Sequence, residues 1–425
     1  MYFSDAGSTE NYEIPKNLPK NLNAALIKLL RFEPTGGDQA IAGLGRSLKL
    51  LWPVLARERG RGDLSGGHYS MRSDMALSYA AYYLPANVLK IPLILAEAAA
   101  MKLPLALLGG EGEGNINWVD FGCGPGTAIF GAWSFLRPRF NGHLRFWGWD
   151  QSPEFLALGR RLGGLVLEGE YEEGEYKPQS KTTFDWQPFS YESAQRTIAR
   201  LREVNPSVIS FSNSLSEFGG DPEIRAQWIV SMIDFLKELS DKDGRPRWII
   251  IVEPGSRVAS RDLLLLRQRV IEASKEGSRN GQGVHILLPC LNDRPCGAFE
   301  DVKDWCHEEH GFKAPAWHEK LGALAGLKKE QLLFSYLVMA VGGQDLSQSL
   351  KAWPAEASRV VSQRMVEKGL VKCFLCTTQG KRMARVLDSR RTPENEAMVH
   401  AQRGQKFLSV NLDEKGSVIA CQTLE

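Results

Sequence analysis

The sequence lacks an uninterrupted apolar run long enough to cross a bilayer. The longest apolar stretch, residues 88–108, contains Lys90, Glu97 and Lys102 and two prolines, whereas a membrane-spanning helix needs about 20 mostly apolar residues. The first residues also lack the basic start and the continuous apolar core of a secretory signal. We therefore expect no membrane association and no export, and a cytoplasmic location of the bacterial type.

Cysteine is scarce, and its number is odd: seven residues in a chain of 425. A disulfide framework needs an oxidising compartment, which the missing export signal disfavours, so reduced thiols or metal ligation are the better interpretations. No internal repeat is present. A chain of this length exceeds what one hydrophobic core usually organises, so the sequence predicts two or three domains.

The net charge of +2 hides an uneven distribution. Residues 359–406 contain eleven Lys or Arg against four acidic residues, which leaves a negative remainder. This distribution indicates a basic C-terminal module. A solvated face with ordinary charge is the competing interpretation, because basic patches alone are not specific.

The pattern of apolar residues divides the chain into three parts. Residues 1–110 have helical periodicity, and a glycine-rich connector at 109–114 follows. Residues 111–345 alternate strand and helix, which predicts a doubly wound, Rossmann-like α/β sheet. The last two strands lack a clear crossover helix between them, which fits the antiparallel edge strand of a class I methyltransferase sheet, and a cysteine-bearing insertion lies at 289–330. Residues 346–425 form a basic module with hairpin strands at 371–377 and 383–387.

A glycine turn marks the candidate nucleotide site. It follows a strand at 117–120 and opens a helix, so backbone N–H groups face a ligand where no side chain obstructs it. The position of a third dinucleotide-type glycine holds threonine, which favours S-adenosylmethionine over a dinucleotide. The candidate cofactor contacts in this turn are Asp120, Gly122, Cys123, Gly124, Pro125, Gly126 and Thr127.

Two further strand ends complete this prediction. Asp150 ends the second strand, where its carboxylate can accept hydrogen bonds from both ribose hydroxyls, and Gln151 is beside it. Asn213 follows the fourth strand, in the usual position for groups that face a substrate. That segment has neither an Asn-Pro-Pro-aromatic signature nor a Pro-Cys pair, so the catalytic residues and the acceptor stay unknown. Methyl transfer depends mainly on in-line approach, so a missing base does not exclude activity.

Beyond these patterns, the chain resembles a methyltransferase-like family of small-ribosomal-subunit assembly proteins, with bacterial members and a mitochondrial ribosome-associated member. The resemblance runs from about residue 69 to the C-terminal module. No single motif is specific for the family, but the motifs together are. The resemblance is carried by Tyr-Ser-Met-Arg at 69–72, Ser-Tyr-Ala-Ala at 78–81, the glycine turn at 120–126, Val-Glu-Pro-Gly-Ser at 252–256, Pro-Cys at 289–290, Trp-Cys-His at 305–307, Phe-Ser-Tyr-Leu at 334–337 and Leu-Cys-Thr at 375–377.

The resemblance implies a 4Fe-4S cluster held by Cys290, Cys296, Cys306 and Cys376. Zinc and plain buried thiols stay open as alternatives, because Cys373 and Cys376 form one Cys-x-x-Cys pair. Residues three apart on a strand point to opposite faces, so we do not expect both to reach one metal. The three histidines at 307, 310 and 318 are interpreted as packing or surface residues.

Two functions follow from the sequence. The first is a SAM-binding scaffold that associates with the small ribosomal subunit and its rRNA during assembly or translation, with the cluster clamping its domains. The second is an active SAM-dependent methyltransferase on RNA, protein or a small molecule. The sequence does not establish whether a methyl group is transferred. It does not determine the oligomeric state, and we expect a monomer.

Overall fold

The computed structural model describes residues 17–31, 38–61, 72–101, 103, 114–172, 180–191, 193–217, 221–277, 283–290, 293–343, 357–377 and 379–424. The glycine-rich connector before Gly114 and the linker at 344–356 lie outside these residues. So do the first three residues of the family anchor at 69–72. The domain boundaries predicted in the connector and the linker therefore stay predictions.

The described N-terminal part is helical. Its helices are α1 (Lys20–Leu30), α2 (Asp38–Arg61), α3 (Ser73–Asn87) and α4 (Lys90–Ala100). The stretch Ser73–Ala100, which joins α3 and α4, is the one described segment whose length and composition would allow a membrane span. Of its apolar window, 83% is buried inside the protein, as expected for a core helix.

The central part alternates strand and helix. Its strands are β1 (Asn115–Phe121), β2 (His143–Asp150), β3 (Lys181–Pro188), β4 (Val208–Ser212), β5 (Arg247–Pro254), β6 (Val284–Leu288), β7 (Glu308–Gly311) and β8 (Gln331–Val341). Its helices are α5 (Thr127–Leu136), α6 (Pro153–Glu172), α7 (Ala194–Val204), α8 (Pro222–Asp243), α9 (Arg257–Gly277), α10 (Gly297–Glu300) and α11 (Ala316–Ala325). The Asp221 side chain caps α8, whose first residue is proline.

These strands form one sheet in the order β3-β2-β1-β4-β5-β8-β6, with β7 paired to β8. The first five strands are parallel, and β8 runs antiparallel to both β5 and β6. This order with one reversed strand is the class I methyltransferase sheet, so the predicted fold class is confirmed. The sequence predicted that the reversed strand would be at the edge of the sheet. In the structure it lies inside the sheet, because β8 inserts between β5 and β6.

Successive residues of each central strand enter different cores, since side chains alternate across a sheet. Trp118 of β1 packs into the core that also holds α3, α4 and α5, whereas Val119 packs into the core with α8 and α9. Both residues are fully buried. The apolar run of β5 has the same cause, because each of its faces is covered by helices.

The C-terminal part has its own sheet and its own small core. Its elements are β9 (Ser358–Val360), β10 (Met365–Glu367), β11 (Leu370–Thr377), β12 (Gly380–Leu387), α12 (Glu396–Val399), β13 (Lys406–Leu412) and β14 (Val418–Thr423). Strands β11 and β12 form the antiparallel hairpin expected from the sequence. We call residues 357–424 the C-terminal module.

Candidate functional site

A pocket lies at the carboxyl ends of β1, β2 and β4, where parallel α/β sheets bind ligands. Its lining includes eight of the ten residues predicted to contact a cofactor. These are Gly122, Cys123, Gly124, Pro125, Thr127, Asp150, Gln151 and Asn213. The fold therefore brings the glycine turn, the end of β2 and the end of β4 to one place.

The glycine turn owes its shape to left-handed backbone conformations. Gly122, Gly124 and Gly126 have φ values of 61°, 54° and 94°, which side-chain-bearing residues rarely adopt. A Cβ atom added at Gly124 would meet no atom within 4 Å, so this glycine borders open space. The turn then leads into the N-terminus of α5, where backbone N–H groups and the helix dipole favour an electron-rich ligand.

Asp150 holds the glycine turn against the end of β2. Its carboxylate accepts hydrogen bonds from the backbone N–H groups of Gly124 and Ser152, each at 2.8 Å. Burial raises the pKa of Asp150, and these backbone donors act in the opposite direction. Each carboxylate oxygen has a second lone pair, so the side chain can still accept hydrogen bonds from a ligand.

Asp120 and Gly126, which were also predicted to contact the cofactor, are not part of the pocket lining. Asp120 is fully buried in the sheet, and its Oδ1 atom accepts a hydrogen bond from the Ser210 hydroxyl at 2.6 Å. Gly126 serves packing, since a Cβ there would lie 2.5 Å from the ring of Trp186. The sequence pattern placed both residues in the turn but could not show which of them face the ligand.

Burial raises the pKa of Asp120 to about 8, with Asp150 adding to the effect. The folded state therefore holds a proton that the unfolded chain releases above its ordinary pKa of 3.8. The stability that this proton contributes is present below that ordinary value and is lost progressively as the pH rises through about 8. The expected loss is up to about 1.4 kcal/mol per pH unit.

Asp120→Asn should remove this pH dependence, because an amide does not ionise and still accepts the Ser210 hydrogen bond. We expect the unfolding free energy of the variant to increase relative to that of the wild type as the pH rises from about 5 to about 8. Urea unfolding across this range measures the difference. Exposed Asp185 supplies the matched control, Asp185→Asn. Parallel pH profiles for wild type and Asp120→Asn would contradict the assignment.

Sequence reasoning missed four residues of the pocket lining, namely Tyr79, Phe155, Phe189 and Tyr191. Ser212, Ser214 and Glu217 also line the pocket, and they flank Asn213 in the segment that the sequence predicts to face a substrate. Phe189 and Tyr191 follow β3 directly, so the end of a third parallel strand was an available signal. Tyr79 comes from α3, far away in the sequence, and no local pattern indicates it. Ser214 is anchored by its hydroxyl, which donates to the carbonyl of Phe121 at 2.6 Å.

The four cysteines implied as cluster ligands line a second cavity of about 180 Å³. Cys290, Cys296 and Cys306 come from the insertion that follows β6, and Cys376 comes from β11 of the C-terminal module. The cavity therefore lies between the methyltransferase-like sheet and the C-terminal module. We call it the cysteine cavity.

Cys373 and Cys376 lie on opposite faces of β11, as predicted from the alternation of strand side chains. Cys373 is buried in the core of the C-terminal module, 3.6 Å from the sulfur of Met398. Cys376 lines the cysteine cavity, and burial raises its pKa to about 12. Burial likewise raises the pKa of Cys306 well above its usual range.

Within the described ranges, no group of three or more His, Cys, Asp or Glu side chains forms a site for a metal ion. Each of the three histidines stacks on an aromatic ring. The distances between ring centroids are 5.8 Å for His307 and Trp305, 5.8 Å for His310 and Phe334, and 4.8 Å for His318 and Tyr82. Burial lowers the pKa of His307 to about 4, so its ring is neutral at neutral pH.

Part of the positive charge of residues 359–406 is neutralised within the protein. Arg359 and Lys406 are buried and face Glu97 of α4. Four exposed or half-buried cations also have acidic partners: Lys372 pairs with Glu367, Lys381 with Asp304, Arg390 with Asp413 and Arg391 with Glu396. The surface of the C-terminal module is therefore less basic than the sequence count indicates.

Comparison with known proteins gives one family and several similar folds. Residues 231–407 match the family model described as mitochondrial small ribosomal subunit Rsm22. A class I S-adenosylmethionine-dependent methyltransferase of Listeria monocytogenes is 12% identical, with 76% of this chain and 88% of that chain covered and a TM-score of 0.30. No curated protein sequence matches this chain.

Two further solved structures are similar over a smaller part of the chain. An arsenic(III) S-adenosylmethionine methyltransferase of Chlamydomonas reinhardtii is 12% identical, with 63% of this chain and 83% of that chain covered and a TM-score of 0.23. A methyltransferase of Geobacter sulfurreducens, solved with S-adenosyl-L-homocysteine, is 13% identical, with 57% of this chain and 90% of that chain covered and a TM-score of 0.22.

The strand order and the reversed β8 define a protein with the class I S-adenosylmethionine-dependent methyltransferase fold. The match to the Rsm22 model at residues 231–407 runs from within α8 into β13, and it shows that this segment is similar to that family. The resemblance predicted from the sequence is thereby confirmed over this range.

Proposed function

We propose that this chain binds S-adenosylmethionine and associates with the small ribosomal subunit through its rRNA, with an iron-sulfur cluster joining its two sheets. The observation that carries the proposal is the convergence of two predicted residue sets on two separate cavities of one fold. Eight residues of the nucleotide set line the pocket, and all four cysteines line the cysteine cavity.

The side chains that line the pocket suit S-adenosylmethionine in their chemistry. The glycine turn leaves its backbone open at Gly124, and Asp150 offers carboxylate oxygens at the end of β2. Glu217 adds a second acidic side chain to the lining. Acidic groups around a small pocket favour a ligand that carries a positive sulfonium. Aromatic rings of Phe155 and Phe189 supply apolar surface for an adenine ring.

Asp150→Ala should weaken binding of S-adenosylmethionine by about 1 to 3 kcal/mol, through loss of charge-assisted hydrogen bonds. The substitution also frees the N–H group of Gly124, so a value near the upper limit is expected. Titration calorimetry with S-adenosylmethionine measures the effect. Asp241→Ala, at an exposed position of α8, is the matched control. Unchanged affinity in Asp150→Ala would remove this residue from the site.

The ribosomal part of the proposal rests on the Rsm22 match, which extends over β9 to β12 of the C-terminal module. Co-sedimentation of the protein with purified small ribosomal subunits tests it directly. We expect the protein to sediment with the particles, and we expect S-adenosylmethionine to change the bound fraction. Absence of the protein from the particle fraction under both conditions would refute the association.

An active methyltransferase is the second candidate. The observation that favours it is the polar lining at the end of β4, where Ser212, Asn213 and Glu217 face the pocket. Incubation of small ribosomal subunits with the protein and methyl-labelled S-adenosylmethionine distinguishes the two candidates. Label in rRNA or ribosomal protein would establish transfer, whereas binding without label would support a scaffold.

The donor set of the cysteine cavity fits an iron-sulfur cluster. Four thiols border one space of about 180 Å³, and thiolates are the ligands that hold iron-sulfur clusters. Zinc also accepts four thiolates, so metal analysis of the reconstituted protein decides between the two. The Nε atom of Arg267 donates to the Cys290 sulfur at 3.2 Å, so a cation already stands beside the ligand set. When bound, the cluster would supply a cross-link between the insertion and β11.

A further inference from the structure

Helix α4 carries two charged residues in an otherwise apolar sequence, of which Lys90 is buried and Glu97 is half-buried. Lys90 and Glu97 are seven residues apart, close to two helical turns, so they project from the same side about 10 Å apart. Charged side chains are almost never buried without partners. The partners of these two residues belong to different sites of the protein.

Lys90 contacts a residue of the proposed S-adenosylmethionine pocket. It is 3% exposed, and its Nζ atom donates to the Oδ1 atom of Asn213 at 3.1 Å. Because an ammonium group only donates, this contact directs the amide oxygen of Asn213 toward Lys90. Asn213 itself lines the pocket and has a φ of 56°, an uncommon conformation for a residue with a side chain. Lys90 therefore helps hold a strained pocket residue in place.

The start of α4 and the residues just before it also support the helix that begins at the glycine turn. Gly131 of α5 packs so closely that an added Cβ would lie 2.4 Å from the carbonyl oxygen of Val88 and 3.1 Å from Pro92. A displacement of α4 would therefore be transmitted to α5 and to the turn before it. The pocket is thus connected to α4 at two points, through Asn213 and through α5.

Glu97 faces the C-terminal module. It accepts hydrogen bonds from Lys406 of β13 and from the hydroxyl of Tyr336, and Arg359 of β9 lies 3.5 Å away. Although burial alone would raise it, Lys406 and Arg359 hold the pKa of Glu97 at about 2. Glu97 is therefore ionised at neutral pH and binds two cations of the C-terminal module.

The same cluster extends to the cysteine cavity. The Nη2 atom of Arg359 lies 3.0 Å from Glu308, and its Nη1 atom donates to the carbonyl of Pro289, the residue before Cys290, at 3.2 Å. Glu308 and Tyr336 both line the cysteine cavity. One buried network thus joins α4, the cavity wall and the C-terminal module.

We infer that helix α4 couples ligand binding in the pocket to docking of the C-terminal module. Docking places Lys406 and Arg359 against Glu97 and fixes α4, and α4 in turn fixes Asn213 and the glycine turn through Lys90 and α5. By thermodynamic linkage, a ligand that orders the pocket stabilises the docked module by the same factor. This inference rests on the proposed binding of S-adenosylmethionine, and Lys90 acts in it as a positioning residue.

Hydrogen exchange of the full-length protein, with and without saturating S-adenosylhomocysteine, tests the coupling. We expect the ligand to slow exchange of backbone amides in β13 and β14, which are not part of the pocket. Lys90→Met keeps the aliphatic stem but removes the bond to Asn213, so slowing in β13 and β14 should be lost at ligand saturation. Lys242→Met, at an exposed cation of α8, is the matched control.

Calorimetry on the same proteins gives the reciprocal measurement. Glu97→Gln should weaken S-adenosylhomocysteine about fivefold or more, although Glu97 does not line the pocket. If Glu97→Gln fails to fold, Lys406→Met tests the same contact from the other side. The combination of Lys90→Met with either variant should weaken binding by less than the product of the single effects.

The outcomes separate the two proposals. A wild type that binds no S-adenosylhomocysteine refutes the proposed cofactor and the coupling with it. A wild type that binds the ligand but leaves exchange in β13 and β14 unchanged refutes the coupling alone. Two results together would exclude α4 as the link. The ligand would still slow exchange in β13 and β14 of Lys90→Met, and each double variant would weaken binding by the product of its single effects.

Discussion

Cys376→Ser should abolish the brown colour and most of the bound iron of protein reconstituted anaerobically with iron and sulfide. The wild type should hold about four iron and four sulfide per chain. A ligand set drawn from the insertion and from β11 joins the two only while the cluster is present, so cluster binding energy becomes docking energy. The C-terminal module should therefore become sensitive to limited proteolysis in Cys376→Ser.

Cys373→Ala is the matched control for this prediction. Cys373 is on the same strand but packs beside Met398 in the core of the C-terminal module. Its replacement should keep the iron content while it lowers thermal stability modestly, because only a small buried group is removed. A colourless wild type with one stoichiometric zinc, or with no metal, would refute the cluster assignment.

Binding of small-subunit rRNA should weaken steeply with salt. Each neutralised phosphate releases a counterion, so about five contacts would lower the affinity roughly hundredfold over a fourfold rise in salt concentration. The exposed residues Arg364, Lys368 and Arg382 of the C-terminal module are the cations to test. Their combined replacement by glutamine should flatten the logarithmic salt slope by about 2.

Three exposed lysines elsewhere provide the comparison, namely Lys28, Lys242 and Lys328. Their replacement by glutamine leaves the net charge equal to that of the test variant. Fluorescence anisotropy with an rRNA fragment at several salt concentrations measures both slopes. A flat salt response of the wild type, or equal slopes for both triple variants, would count against the C-terminal module as the RNA-binding surface.

Both predictions concern the C-terminal module, whose exposed positive charge is smaller than the sequence indicates. The count of eleven basic residues between 359 and 406 is correct, yet Arg359 and Lys406 are buried against Glu97. Removing one partner of a buried ion pair strongly destabilises a protein, because the other charge is then buried without compensation. These two cations therefore serve docking and are not available to phosphate groups.

Local patterns were sufficient for the fold class and for the main elements of the pocket. Glycine at positions 122, 124 and 126 shares one local physical reason, a positive φ before a helix. Asp150 ends a strand, and parallel strands end at one edge of the sheet. Alternation on β11 likewise separated Cys373 from Cys376 before any contact was known.

Long-range packing decided what local patterns could not. The insertion of β8 between β5 and β6 depends on pairing between strands that are distant in the chain, and so does the burial of Asp120 beneath the pocket. The bond between Glu97 and Lys406 joins residues 309 positions apart. The sequence alone thus determined which local turns and strands form, because these depend on neighbouring residues. Only the tertiary structure decided which charges are buried together, because burial and pairing depend on elements that meet through folding.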